Sequence, residues 1–167
     1  MDLRLPVPAV CRVVSMNKPH LCVLMFLLAA FSIPAYANIG DNAAQMEGRY
    51  GAVQAEKANE GDGLTTKCYS HGGFWIRARF LNGSSQSEAF IRVDKNVLSS
   101  GEITSLLDAN KVGSNWKGVF KNKDLERWIL ASNGAVAQYY SNEHILLITT
   151  KDLMKYIAEK SRLVEKP

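Results

Sequence analysis

Cysteine is scarce, with Cys11, Cys22 and Cys68 the only three in 167 residues. A lipoprotein cysteine sits behind a small residue just after an apolar stretch. Cys11 comes too early for that, and Cys22 lies inside the stretch. Once a leader is removed Cys68 stands alone, so an internal disulfide framework is excluded. Cys68 reads as a small buried hydrophobe on a strand. Metal ligands are as sparse. Cys68 and His71 have a Cys-x-x-His spacing, but His144 is the only further histidine beyond residue 37. A structural zinc site needs about four ligands, so no metal and no cofactor is expected.

The motifs of nucleotide chemistry are missing too. There is no G-x-x-x-x-G-K-[ST] loop and no dinucleotide fingerprint. The "HGG" at His71–Gly73 has no G-x-S-x-G elbow to serve. Excess charge of one sign is absent. Residues 1–37 hold Arg4, Arg12, Lys18 and Asp2, so of 20 basic and 16 acidic residues 17 and 15 remain. Lysine and arginine are interspersed with acids, so the clustered basic face of a nucleic-acid binder, and with it a nucleic-acid partner, is not expected.

A long apolar run is also lacking. The fully apolar stretch reaches only from Leu21 to Phe31, whereas a spanning helix needs about 20 residues. Lys18 before it, Pro34, and Ala35-Tyr36-Ala37 after it match a cleaved export signal. The expectation is a signal peptide over 1–37, with a second start available at Met16. A single domain over 38–167 follows, periplasmic or secreted, with no stable membrane insertion after cleavage. The competing reading is an uncleaved anchor over 19–37, since no charge falls between Lys18 and Asp41.

The remainder is patterned. "GDNAAQMEGRYG" predicts a helix capped by Asp41, with Ala43, Met46 and Tyr50 on one face and Gly51 closing it. "AVQAEKANEGDG" reads as a polar loop broken at Gly61 and Gly63. "LTTKCYS", "FWIRARF" and the segment after Asn82-Gly83 read as three strands, the last two joined by a two-residue hairpin turn. Carried back from that turn, the register pairs Trp75 with Phe90, Arg77 with Glu88 and Arg79 with Gln86 on one face. Phe74, Ile76, Ala78, Phe80, Ala89 and Ile91 then form the core face.

"LSSGEITSLLDAN" carries a Ser99/Glu102 capping box with Leu98 and Ile103 as its staple. "ERWILA", "AVAQYY" and "HILLITT" predict a second set of strands, with an extra short strand near Trp116. The last is apolar enough to be central and covered on both faces. "TKDLMKYIAEKSR" predicts a terminal helix with Leu153, Met154, Ile157 and Ala158 inward, and a fraying tail "LVEKP". The fold class is α+β, antiparallel meanders with helices on one face, in the order α-βββ-α-βββ-α. Each half is a helix followed by a hairpin whose strand carries a tryptophan before Asn-Gly, Trp75 and Trp128, which suggests an internal duplication.

The opening "GDNAAQMEGRYG" resembles the start of small exported bacterial proteins of uncharacterised function. A capped helix bearing a glutamine and a closing glycine before a meander is also similar to the units of outer-membrane assembly lipoproteins and of β-lactamase-inhibitor-type domains. The likeness covers about twelve residues, and Ala52-Val53 stands where the latter group has a proline. It implies an exported accessory protein and carries over no site residue.

The expected function is a non-catalytic binding or accessory protein of the bacterial envelope, with an envelope protein as partner. The competing class is a small periplasmic enzyme or ligand carrier. The candidate partner-binding patch is Trp75, Arg77, Arg79, Glu88 and Phe90, because tryptophan and arginine are enriched at interfaces.

Overall fold

The computed structural model describes residues 39–58 and 63–164. The leader expected over 1–37, Gly61 and the last three residues of the tail lie outside them. Eleven elements follow in the order α1 (Ala43–Tyr50), β1 (Ala55–Ala58), β2 (Thr65–His71), β3 (Phe74–Leu81), β4 (Ser84–Arg92), α2 (Ser100–Ala109), β5 (Trp116–Lys121), β6 (Leu125–Leu130), β7 (Val136–Tyr140), β8 (Ile145–Thr149) and α3 (Lys151–Val164). The strands form one antiparallel sheet ordered β1-β2-β3-β4-β8-β7-β6-β5. The α+β class is as expected, and each meander gains a strand. The supposed polar loop supplies β1, an exposed edge that Lys67 holds through Glu56 at 3.3 Å. The strand at Trp116 becomes β5, the opposite edge.

Both core-side helices begin on capping boxes. In α1 the cap is Asn42 rather than Asp41. The Asn42 Oδ1 accepts from the Gln45 backbone N–H at 3.0 Å, and the Gln45 Oε1 accepts from the Asn42 N–H at 2.9 Å. Asp41 is thereby free to pair with Arg49 one helical face away. Gly51 ends the helix at φ 84°, ψ −170°, a region open essentially to glycine alone. In α2 the Ser99/Glu102 box forms as read, and Glu102 also pairs with Arg92 at the end of β4. Ser99 donors and that guanidinium hold the Glu102 carboxyl below the usual range.

The decisive departure lies in the β3–β4 hairpin. Its turn is the predicted one, with Asn82 at φ 52° and Gly83 at φ 80°, and Leu81 opposite Ser84. Between Arg79 and Phe80 the register then shifts: Phe80 faces Ser85 but Arg79 faces Ser87, leaving Gln86 as the extra residue of a bulge. Gln86 is bonded elsewhere. Its carbonyl accepts from the Thr150 N–H at 2.9 Å, its Oε1 from the Thr150 hydroxyl at 2.6 Å, and its Nε2 donates to the Ser84 Oγ at 2.8 Å.

Beyond the bulge every side chain of β4 changes face. Glu88 and Phe90, expected beside Trp75, are 0 % and 1 % exposed on the core side, whereas Ala89 and Ile91 join Trp75. The core cluster unites Met46 and Tyr50 of α1 and Ile103 and Leu107 of α2 with Ile76, Phe80, Phe90, Leu146 and Ile148 of the sheet. The third helix is the second correction. Only Leu153 of its four expected inward residues is buried, and it lies outside that cluster, as do Leu64 and Ala89. α3 packs against β4 from the other face, over the end where Ser87 and Ala89 are buried.

Glu88 is a carboxyl sealed in the core. The Tyr50 hydroxyl donates to its Oε2 at 3.1 Å, and the Ser85 hydroxyl to its Oε1 at 3.4 Å. Burial pushes the group up from the ordinary carboxylate range to about 7, against the pull of the Tyr50 hydrogen bond and the Arg49 charge. Burial and the Glu88 charge together raise the Tyr50 phenol far above its usual value, and burial lifts Tyr69 to about 12.

Two outcomes follow. Between the ordinary carboxylate range and about pH 7, folded Glu88 keeps a proton that unfolded Glu88 has lost. Stability contributed by this group is therefore complete at low pH and declines as pH rises through that window. Glu88→Gln, neutral at every pH, removes the decline. In urea unfolding its advantage over the parent grows from near zero at about pH 4 to ~1–3 kcal/mol at about pH 8. Parallel pH profiles would show that Glu88 does not titrate in the fold. Tyr50→Phe deletes the donor and costs ~1–3 kcal/mol at about pH 8, where the carboxylate is charged, and less at about pH 5.

Candidate interface on the outer face of the sheet

Alternation along the strands, read with the observed register, assigns each side chain to one face. On the face away from α1 and α2, one row crosses five strands: Trp75, Ile91, Ile145, Tyr140 and Leu125. At about 4.8 Å between strands this row is roughly 19 Å long. The adjacent row reads Arg77, Ala89, Leu147, Gln138 and Arg127. Its arginines sit at the two ends and its apolar residues near the middle.

The face is partly open. Trp75 is 46 % exposed, Phe120 on the neighbouring edge strand is 48 % exposed, and Ile91, Ile145, Leu147, Tyr140 and Leu125 are half-buried. β8 is central, as its apolar run predicts, but it is covered on one side only: Leu146 and Ile148 are buried while Ile145 and Leu147 are not. α3 covers the Ser87 end alone.

The strand carboxylates are confined to one face, whereas the strand cations lie on both. Lys57, Arg77, Arg79, Lys117 and Arg127 point outward. The three carboxylates carried by the strands, Glu56, Glu88 and Glu126, all lie on the core side, where Glu56 meets Lys67 and Glu126 meets Lys121 at 2.7 Å. No strand carboxylate shares the row of Arg77 and Arg127. Arg127 is steadied by its cross-strand neighbour: with the Gln138 amide oxygen turned toward it, the guanidinium donates at 2.9 and 3.2 Å. A guanidinium held by a neutral amide keeps its full charge for an external acid.

Of the five residues read as a patch, the fold keeps Trp75, Arg77 and Arg79 together and withdraws Glu88 and Phe90. Their places are taken by residues of the second meander, above all Arg127, Gln138 and Tyr140. The alternation in "LERWIL" and "AVAQYY" encodes their direction, but only the β4–β8 pairing brings them beside Trp75. Cys68 and His71 part company. Cys68 lies on a strand as expected but is half-buried rather than buried, because it stands on the outer face opposite Arg77; His71 turns to the core side, its ring centroid 5.9 Å from that of Tyr50. Among the described residues no three histidine, cysteine or acidic side chains gather as a metal site. What the outer face offers is a broad apolar and aromatic surface flanked by the Arg77 and Arg127 guanidiniums.

No family model matches the chain, and no curated protein matches its sequence. In three dimensions it is similar to a cysteine-rich secretory protein from Staphylococcus aureus subsp. aureus Mu50, with a TM-score of 0.40 and 14 % identity over 70 % of this chain and 46 % of the other. It is also similar to an extracellular protein containing an SCP domain from Bacillus anthracis str. Ames, with a TM-score of 0.42 and 8 % identity over 72 % of this chain and 48 % of that one. The chain spans less than half the length of either protein. At these scores the likeness assigns neither a family nor a function.

Proposed function

We propose that the chain is an exported, non-catalytic binding module of the bacterial cell envelope, and that its outer sheet face docks on an acidic protein surface. The export half rests on the leader pattern of residues 1–37. The docking half rests on one observation: an aromatic and apolar row about five strands wide is flanked by arginines with no strand carboxylate among them. Aromatic residues and arginines supply most of the energy in protein interfaces. Arginine also presents a planar fork that matches a carboxylate. The partner's acids would lie over Arg77 and Arg127, with its apolar centre over Ile91, Ile145 and Leu147. The buried Glu88 has no part in binding and belongs to the scaffold.

The test is charge reversal at both ends of the arginine row. Arg77→Glu with Arg127→Glu should leave unfolding free energy within about 1 kcal/mol, since both positions lie on the surface side of the sheet. Cross-linking from position 75 in the envelope fraction should label a defined acidic protein with the parent. That label should fall at least tenfold in the double variant and weaken as salt is raised. Equal labelling by parent and double variant would overturn the reading.

A further inference from the structure

The second half of the chain repeats the first. The strand order is a palindrome, β1 to β4 followed by β8 to β5, and each half is a capped helix followed by four strands. The two halves meet at β4 and β8, where Ala89 opposite Leu147 is the midpoint of the pairing. Register then equates positions across the halves. Phe90 corresponds to Ile148, Ile76 to Ala137, and Tyr69 to Trp128. Counting from the helix caps Asn42 and Ser99, Met46 corresponds to Ile103 and Tyr50 to Leu107. The two halves therefore differ at one place that matters. In the first, Tyr50 packs on Tyr69 with ring centroids 5.9 Å apart and fills the space between helix and sheet. In the second, the smaller Leu107 stands over Trp128, and the space is left as an open cleft of about 220 Å³.

Two tryptophans and three polar side chains line that cleft: Trp116, Trp128, Thr104, Asp108 and Asn115, together with Leu107. Trp116 is fixed, its indole N–H donating to the Leu107 carbonyl at 2.7 Å. Trp128 packs beside its cross-strand neighbour Gly118, where an added Cβ would make ordinary contact with the ring at 3.7 Å. Thr104 and Asp108 are one helical turn apart on α2, and Asn115 faces them from the entry to β5. These three side chains have no intramolecular hydrogen-bond partner among the described residues, and all three are exposed at the rim. Rigid aromatic faces beneath unengaged hydroxyl, amide and carboxylate groups suit a ligand with one apolar face and a ring of hydroxyls.

We propose that this cleft binds a neutral sugar, one pyranose ring at a time. The CH face of the ring stacks on the indoles, and its hydroxyls bond to Asp108, Asn115 and Thr104. The volume sets the size, being below the range of drug-sized pockets and large enough for a single ring. The ring arrives either as a free sugar or as the end of a glycan chain. The site is separate from the outer sheet face, and its success or failure leaves the docking reading untouched.

The test uses the indole signals of the three tryptophans in a ¹⁵N NMR titration of the protein. The probes are methyl β-glucopyranoside, N-acetylglucosamine and the trimer of N-acetylglucosamine. The Trp116 and Trp128 signals should move with an apparent Kd of about 1 mM or weaker, as expected for so small a ligand, while Trp75 stays still. A trimer at least fivefold tighter than the monomer assigns a glycan end, and equal affinities assign the free sugar. Asp108→Asn, an exposed change that leaves the fold intact, should weaken binding at least fivefold. Trp116 and Trp128 signals that stay fixed with all three probes would overturn the proposal. So would shifts that Asp108→Asn leaves unaltered.

Discussion

Between Arg79 and Phe80 the β3–β4 ladder sets two residues of β4 against one step of β3, and everything downstream depends on that extra residue. A strand has a side-chain period of two, so a single bulged residue moves the whole remaining strand to opposite faces. Phe90 enters the core because Gln86 is skipped, and Glu88 enters with it. The bulge persists because it is paid for locally in hydrogen bonds: Thr150 satisfies both the backbone and the side chain of Gln86. On the other side of the bulge, the Ser85 N–H donates to the Asp41 carbonyl at 2.8 Å, and the Gly40 N–H donates to the Ser85 carbonyl at 2.8 Å. The segment before α1 and the junction before α3 thus clamp one irregular residue from two directions, although they are over a hundred positions apart in the chain.

Placing Glu88 in the core would be ruinous without partners, because an isolated buried carboxylate is among the costliest groups a fold can hold. The fold meets this in two ways. The Tyr50 and Ser85 hydroxyls donate to the two carboxyl oxygens, and burial raises the group's proton affinity so that it is half neutral near pH 7. The arrangement also fixes α1. Tyr50 sits in the last turn of the helix, Arg49 beside it is tied to Asp41 before the first turn, and the Tyr50 ring packs on Tyr69. A short helix of eight residues has little stability of its own, and these ties to the sheet position it.

Much of this was legible in the amino-acid sequence. The Ser99/Glu102 box, the Leu98–Ile103 staple and the Asn82-Gly83 turn are local signals, and each is found where it was read. The α+β class followed from them. What could not be read was non-local. Nothing between residues 74 and 92 reveals the bulge, because its stabilising partner is Thr150 at the far end of the chain. Without it, the cross-strand pairing of Arg77 with Glu88 satisfies every local rule and places Glu88 on the outer face, whereas the bulge buries it and leaves Arg77 outside. The apolar run of β8 predicts a central strand, and it lies between β4 and β7. The same run predicts cover on both faces, yet Ile145 and Leu147 are only half-buried. Met154 and Ile157 instead remain partly exposed, and α3 seats only its first turns.

The internal repetition explains why one domain can carry two unrelated surfaces. The halves match in element order and in helix capping, yet the expected correspondence of Trp75 with Trp128 fails. Register equates Trp128 with Tyr69, and the Asn133-Gly134 turn with Gly72-Gly73 rather than with Asn82-Gly83. Trp75 serves the outer face and Trp128 the cleft. The same logic accounts for Glu88. Its counterpart across the β4–β8 axis is Leu146, and the counterpart of Tyr50 is Leu107. A polar pair in one half thus stands where the other half has two leucines. An aliphatic pair needs no hydrogen bond and satisfies the core by burial alone. It is also shorter than a tyrosine reaching a carboxylate, so the helix above it leaves the gap beside Trp116 and Trp128. Substitution of one buried pair therefore closes the first half into a rigid scaffold and leaves the second half open, with no change in backbone topology.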